Sequence, residues 1–134
     1  MDVLNSIKES ISTLNEIEEY HNGLADKLSV VDNKINDLLH YVENNNLKTN
    51  ECYRMIREIK KQREIRRKIK NDYQLLNCYK SNELKLSNTD NRKMLLSELC
   101  KVEKRLNQPY KNRNYTDEEL NNILGKESKE ELGI

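Results

Sequence analysis

The sequence predicts an all-α protein built around one long antiparallel helical hairpin, with short C-terminal helices. Apolar residues recur at alternating spacings of three and four along most of the chain, the pattern of helices that pack through a seam. Only three Gly and one Pro interrupt 134 residues, and both residue types break helices. Hydrophobic residues make up 35%, charged residues another 35%, and Phe and Trp are absent, which suits long, thin helices better than a compact core.

The first helix is predicted over residues 1–44. Its main seam alternates spacings of four and three and consists of Leu24, Leu28, Val31, Ile35, Leu38 and Val42. An upstream stretch keeps the same rhythm at Leu4, Ile7, Ile11, Leu14 and Ile17. Because the two stretches are offset, we predict a kink or break near residues 20–23.

A polar, Asn-rich loop at 44–49 separates this helix from a second one, predicted over 50–80. At 1.5 Å per residue the second helix is roughly 45 Å long. A connection this short makes the two helices antiparallel. Leu24 is therefore expected near Ile69.

The C-terminal helical segment is predicted over residues 81–125. It begins with a polar connector at 81–92, in which Leu84 and Leu86 are expected to be extended. A third, shorter helix, stopped before Pro109, is marked by Leu95, Leu99, Val102 and Leu106.

A capping box from Thr116 to Glu119 predicts one more short helix, which Gly125 ends. Residues 126–134 are predicted to be a frayed tail, and residues 1–134 to form a single domain. Since each long seam is only one stripe wide, the hairpin needs a third layer to offset the entropy of folding. We expect that layer from the C-terminal segment and from further copies of the chain.

Charge and cysteine content indicate a cytoplasmic protein. The net charge is +1, with 24 basic and 23 acidic residues, which gives no general attraction to nucleic acid or to a membrane. No apolar run is long enough to span a bilayer, and the N-terminus lacks the pattern of a signal peptide. Three widely spaced cysteines favour reduced thiols over a disulfide framework.

Catalytic motifs are absent from the sequence. It contains no Gly-rich phosphate loop, no CxxC and no HExxH. His40 and Glu43 lie one turn apart, but two ligands fall short of a metal site. We therefore expect a binding protein and not an enzyme, with no metal site and no cofactor.

A basic stretch at residues 60–70 is the first candidate ligand-binding region. Gln62 and Arg66 occupy seam positions where apolar residues are expected, and a buried arginine needs an anionic or strongly polar partner. That partner is either a phosphate-bearing ligand or an acidic group of another subunit. The alternatives are an ordinary solvated helix face, or an Arg66 side chain that extends out of the seam. The candidate phosphate-binding residues are Arg63, Arg66, Arg67 and Lys70.

The second candidate region is the segment at 110–116, which precedes the last helix. Aromatic rings stack on bases, amides recognise base edges, and helix N-termini attract phosphate. A polar linker with a good cap is the alternative interpretation. The candidate ligand-binding residues are Asn112, Arg113, Tyr115 and Thr116.

These features together resemble a known family. The matching pieces are the run 37–43, the asparagines at 45 and 46, Tyr53, the run 66–71, and the run 112–116 followed by Leu120. They look like the phage anti-Thoeris sponge proteins of the helical-hairpin type. The resemblance implies a homo-oligomer that captures cyclic ADP-ribose-type immune signals, and in some members cyclic oligonucleotides, without chemistry.

The resemblance also implies the site and the setting. Asn112, Arg113 and Tyr115 would contribute to a nucleotide pocket between subunits, and the basic residues of 63–70 would hold phosphate. The assembly would range from a dimer to a hexamer, in the cytoplasm of the bacterial host.

A rival hypothesis is a coiled-coil adaptor or inhibitor that binds a host protein. A third is a nucleic-acid binder that uses residues 60–70, which the neutral net charge disfavours.

Overall fold

The computed structural model describes residues 1–125, and this part of the chain contains helices and no strand. The all-α class and the two long packed helices are therefore confirmed. Helix α1 spans Val3–Asn44 and α2 spans Thr49–Asn82, followed by a 3-10 turn at Glu83–Lys85; α3 spans Thr89–Leu106 and α4 spans Asp117–Ile123. No helix among the described residues is both long and apolar enough to cross a bilayer.

Helix α1 begins behind an Asp2 cap, whose carboxylate accepts a hydrogen bond from the Asn5 backbone N–H at 3.3 Å. It continues as one helix through residues 20–23, so the predicted break is wrong, while the alternative of a kink stays a prediction. His21 lies four residues after Ile17 and three before Leu24, and thus continues the seam across the apparent offset. Gly23 lowers helix stability by only about 1 kcal/mol relative to Ala. The contacts that His21 and Leu24 make with α2 offset this loss.

The hairpin is closed by residues 45–48, and α1 packs against α2. Its apolar core is small: Leu24, Val31, Ile35 and Ile69 are buried, and Leu28 and Leu76 pack against them. Leu24 and Ile69 belong to this one cluster, which confirms the predicted antiparallel pairing. Such pairs define the register of the two helices. Because the helices are antiparallel, residues early in α1 meet residues late in α2.

Helix α3 packs on α2 and supplies part of the predicted third layer. Leu95 is its buried residue, and Glu98 accepts a hydrogen bond from the Asn82 side chain at 3.1 Å. The polar connector is shorter than predicted, because Asn88 caps α3 by accepting from the Asp90 N–H at 2.8 Å. Leu84 is not extended but lies in the 3-10 turn, 96% exposed.

Helix α4 follows a ten-residue segment, 107–116, without helix or strand. Thr116 caps it by accepting a hydrogen bond from the Glu119 N–H at 3.1 Å, as the capping box predicts. Gly125 follows with a φ of 73°, the left-handed conformation that ends helices and suits Gly. The predicted tail at 126–134 lies outside the described residues.

Candidate functional site

Four exposed cations line one face of α2, and we call them the basic stripe: Lys60, Arg63, Arg67 and Lys70. They follow one another at intervals of three, four and three residues, which brings them to the same side of a helix. None of them forms an ion pair within residues 1–125. The stripe is about 15 Å long and Glu64 is the carboxylate that borders it.

Arg63 and Arg67 are the two arginines of the stripe. Residues four apart on a helix have Cβ atoms about 5–6 Å apart. Two guanidinium groups at that spacing can contact the same diphosphate, each with two parallel N–H donors. Phosphate binding by the stripe stays a prediction, which this spacing on α2 permits.

Arg66 lies beside the stripe but faces α1. Its Nε donates a hydrogen bond to Asp32 Oδ1 at 2.6 Å, with 28% of the Arg66 side chain and 41% of the Asp32 side chain exposed. The expectation that this seam arginine needs a phosphate ligand or an acidic group of another subunit is therefore wrong. Its partner is a carboxylate of the same chain, on the facing helix.

Gln62, the other polar residue of the seam, is also satisfied within the chain. It is 6% exposed, and its Nε2 donates to Glu58 Oε1 at 2.9 Å, one turn earlier on α2. Neither seam position calls for a ligand. Of the four predicted residues on α2, Arg63, Arg67 and Lys70 are the ones without an ion pair within residues 1–125.

The segment between α3 and α4 forms an open concave surface that encloses a volume of about 500 Å³. Tyr110 and Tyr115 are 76% and 55% exposed there. All four predicted residues of this region lie on the surface, and its lining is Tyr110, Lys111, Asn112, Arg113, Asn114, Tyr115, Thr116 and Asp117. Ligand pockets usually enclose most of a small molecule, whereas this surface offers one wall, so a second surface is needed to complete it.

Thr116 has a structural role at this surface. Its hydroxyl oxygen already accepts the Glu119 N–H, which leaves one lone pair and the hydroxyl proton for a ligand. Asn112, Arg113 and Tyr115 are exposed and make no side-chain hydrogen bond among the described residues. The lining of this surface consists of residues 110–117 and includes no member of the basic stripe, so the two predicted groups do not line one site.

A polar cluster that the sequence did not predict joins the helices above the core. The Tyr20 hydroxyl donates to Asp72 Oδ2 at 2.5 Å, and the Lys68 ammonium donates to the same oxygen at 2.7 Å. Burial raises the pKa of Asp72, but the hydrogen bonds from Lys68 and Tyr20 outweigh it, and the pKa is lowered. The bond to Asp72 raises the pKa of Tyr20, and burial adds to that effect.

His21 lies beside this cluster. Its ring stacks on Tyr73, with centroids 5.5 Å apart and planes 5° from parallel. Its Nε2 is 3.0 Å from Asn77 Oδ1, while its buried Nδ1 has no hydrogen-bond partner. The seam spacing from Ile17 to Leu24 was the sequence signal for this position.

A small cavity, also not predicted, lies where residues 14–18 of α1 meet the end of α2. Its volume is about 180 Å³. Leu14 and Ile17 from α1, Tyr79 from α2 and Leu86 beyond the 3-10 turn provide its apolar lining. Burial and the nearby Glu83 raise the pKa of Tyr79.

The remaining candidates for chemistry stay apart. His40 and Glu43 approach to 3.7 Å at the surface, 73% and 75% exposed. No group of three or more metal-ligating side chains occurs in the part of the chain that the structure describes. Cys52, Cys78 and Cys100 are free thiols.

No protein-family model, curated protein or solved structure matches this chain. The functional interpretation therefore depends on the side chains described above.

Proposed function

We propose that this protein binds and sequesters a cyclic nucleotide signal, of the cyclic ADP-ribose or cyclic oligonucleotide class, without chemical conversion. It would thereby counter a bacterial anti-phage defence. The observation that carries the proposal is the basic stripe on α2, where Arg63 and Arg67 stand exposed and unpaired within residues 1–125. A cyclic nucleotide carries the phosphate groups that such a pair of arginines recognises.

The concave surface between α3 and α4 supports the same proposal. A nucleobase needs an aromatic face and an amide or guanidinium at its edge, and Tyr115, Asn112 and Arg113 offer these groups to solvent. Because this surface is open and its lining includes no residue of the basic stripe, we expect residues of a second copy to complete the pocket. A homo-oligomer is therefore part of the proposal.

A calorimetric titration tests the proposal directly. The purified protein is titrated with cyclic ADP-ribose isomers and with cyclic di- and trinucleotides, and the bound ligand is released by heat and identified. Tight binding with intact ligand recovered is expected. The variant Arg63→Ala with Arg67→Ala should lose at least tenfold in affinity, because it removes two charge-assisted contacts.

Arg54→Ala is the matched control for this titration. It removes one exposed arginine from the opposite side of the same helix, so it should leave the affinity unchanged. An equal loss in the control, or no binding of any member of the panel by the wild-type protein, contradicts the proposal.

The adaptor hypothesis remains the second candidate. Exposed apolar side chains on and after α4, with Ile123 and Leu124 at 67% and 66%, favour it. An affinity capture from host cells would then return a protein partner, whose retention depends on Ile123 and Leu124 and not on Arg63 and Arg67. Binding to nucleic acid, by contrast, would fall steeply with salt, because several phosphates are contacted at once.

A further inference from the structure

The first turns of α1 carry an apolar seam that is uncovered in the monomer. Leu4, Ile7, Ile11 and Leu14 are 61%, 52%, 52% and 48% exposed. The same rhythm of residues is buried farther along α1, where α2 covers Leu24, Val31 and Ile35. This part therefore has the pattern of a helix contact, although about half or more of each of its four apolar side chains is exposed within residues 1–125.

This N-terminal seam reads the same in both directions. Its residues run Leu, Ile, Ile, Leu at intervals of three, four and three. When two such segments lie antiparallel, Leu4 of one copy meets Leu14 of the other, and Ile7 meets Ile11. A two-fold axis needs a surface that is complementary to itself, and this segment satisfies that requirement in both spacing and side-chain type.

The charge pattern supports the same contact. Charged residues make up 35% of the chain, yet residues 3–15 contain only Lys8 and Glu9. Around the seam lie small polar residues, chiefly Ser and Asn. Depletion of charge is typical of the centre of a protein interface, and small flanking side chains allow two helices to approach closely.

The antiparallel register also gives the cavity at the end of the seam an occupant. Leu14 and Ile17 line that cavity on α1, and the N-terminal residues of a second copy, Met1 and Leu4, come to lie beside them. Met1 is fully exposed in the monomer. A cavity of about 180 Å³ accommodates one aliphatic side chain from the second copy.

We propose that two copies of this chain associate through antiparallel pairing of their N-terminal seams, Leu4, Ile7, Ile11 and Leu14. The inference rests on the proposed function in one respect, because it names the surface through which the proposed homo-oligomer would form. Phosphate binding plays no part in it. Two segments of this length bury on the order of 1,000 Å², the lower end for specific interfaces. The dimer should therefore dissociate on dilution.

Sedimentation velocity of the full-length, nucleotide-free protein over a range of concentrations tests the pairing. The wild-type protein is expected to shift from monomer toward dimer, or toward an even-numbered assembly, as concentration rises. Ile11→Asp should weaken this association at least tenfold, because it places a carboxylate in the seam. Ser12→Asp adds the same charge to the same helix, away from the seam, and should leave association unchanged.

Disulfide formation tests the direction of pairing in a background where Cys52, Cys78 and Cys100 are replaced by Ser. A mixture of Leu4→Cys and Leu14→Cys proteins should form the mixed disulfide, whereas Leu4→Cys alone should not cross-link. Circular dichroism checks that each variant remains helical, and Ile7→Asp replaces Ile11→Asp if that variant unfolds. A monomeric wild-type protein, unchanged association of both seam variants, or cross-linking of Leu4→Cys with itself overturns the inference.

The two proposals fail separately in these experiments. If Arg63 and Arg67 do not bind nucleotide, the mass of the nucleotide-free protein is unaffected. If the seam does not pair, the calorimetric comparison of Arg63→Ala and Arg67→Ala with Arg54→Ala still applies to whatever assembly forms.

Discussion

Arg66 on α2 and Asp32 on α1 face each other across the hairpin, with the arginine Nε donating to the aspartate Oδ1 at 2.6 Å. The pair sits within the apolar seam, between Gln62 and the buried Ile69. It explains how a cation is tolerated at a position where the heptad pattern calls for an apolar side chain. It also favours this pairing of the two helices, since sliding either helix by one turn, about 5.4 Å, would separate the charges.

Removing the carboxylate of this pair should destabilise the hairpin. Asp32→Ala leaves the partly buried guanidinium without its partner, at an expected loss of about 1 kcal/mol in the free energy of unfolding, reduced by the exposure of both groups. Arg66→Leu should cost less, because an apolar side chain fits the seam. Urea unfolding at one fixed protein concentration measures both. A larger loss for Arg66→Leu than for Asp32→Ala would contradict this account.

The Tyr20–Asp72–Lys68 cluster should make stability depend on pH. The pKa of Asp72 is lowered below its ordinary value of 3.8, so its contribution is present above about pH 4 and is lost as the pH falls through the lower folded pKa. The pKa of Tyr20 is raised above 10.0; its contribution is present below pH 10 and is lost as the pH rises through the higher folded value. Asp72→Asn should therefore destabilise the protein at pH 7 and lose its effect in acid.

Urea titrations of the wild-type protein and Asp72→Asn at pH 7 and at a series of lower pH values, down to about pH 2, measure this difference. Asp26→Asn is the control, because Asp26 is an exposed carboxylate of α1 without an ion pair in residues 1–125. If the two variants show the same pH dependence, the cluster does not act as described.

His21 holds a buried polar atom without a partner, and replacing it should not destabilise the fold. His21→Phe keeps an aromatic ring against Tyr73 and removes the unpaired Nδ1, whose burial costs about 1–3 kcal/mol. Asn77, the hydrogen-bond partner of the His21 Nε2, is exposed and can bond to water in the variant. The midpoint of thermal unfolding should stay the same or rise. Leu24→Ala, in contrast, should cost about 2–5 kcal/mol, and this comparison shows that the assay detects core damage.

The cap of α4 should stabilise that helix locally. Thr116→Ala removes the oxygen that accepts the Glu119 N–H, at a cost of about 1 kcal/mol to the helix. Since the substantial packing among the described helices involves α1, α2 and α3, the global unfolding midpoint should not change. Amide hydrogen exchange should accelerate at residues 117–124 and stay constant in α2. Thr116→Ser, which retains the hydroxyl, serves as the control.

The basic stripe should discriminate between arginine and lysine. Arg67→Lys retains the positive charge but loses the planar pair of donors that matches a phosphate. We expect Arg67→Lys to lower the affinity for a bound nucleotide several-fold. The reverse substitution at a neighbouring position, Lys70→Arg, should cause no loss. Calorimetric titration at one salt concentration measures both variants, and identical affinities for Arg67→Lys and the wild-type protein would contradict bidentate recognition.

Most helix boundaries followed from local signals in the sequence. The seam spacing, the cap at Thr116 and the stop before Pro109 each report on a few neighbouring residues. The continuity of α1 through His21 was missed although the spacing places His21 in the seam, because the partners that accommodate a polar ring there, Tyr73 and Asn77, are more than 50 residues away in the sequence. The 3-10 turn at Glu83–Lys85 also lacked a local signal of its own.

The candidate site shows the same division. Its exposed cations could be predicted from spacing along α2, since helical geometry alone puts Arg63 and Arg67 on one face. The partner of Arg66 could not, because Asp32 is 34 residues away in the sequence and meets it only through the register of the hairpin. A tertiary contact thus replaced the ligand that local reasoning had required.

The position of the buried cluster has a consequence for how the hairpin folds. Leu24 and Ile69 pack together although the chain between them includes the whole turn, and the residues nearest to the turn contribute no fully buried apolar side chain. Near the turn the apolar side chains, among them Leu38, Met55 and Ile59, are only half-buried, so zipping outward from the turn gains little stability. Most of the apolar gain is expected only after a loop of several tens of residues has closed. Shortening or stiffening the turn should therefore accelerate folding and leave the unfolding rate nearly unchanged, because the turn is already closed in the transition state.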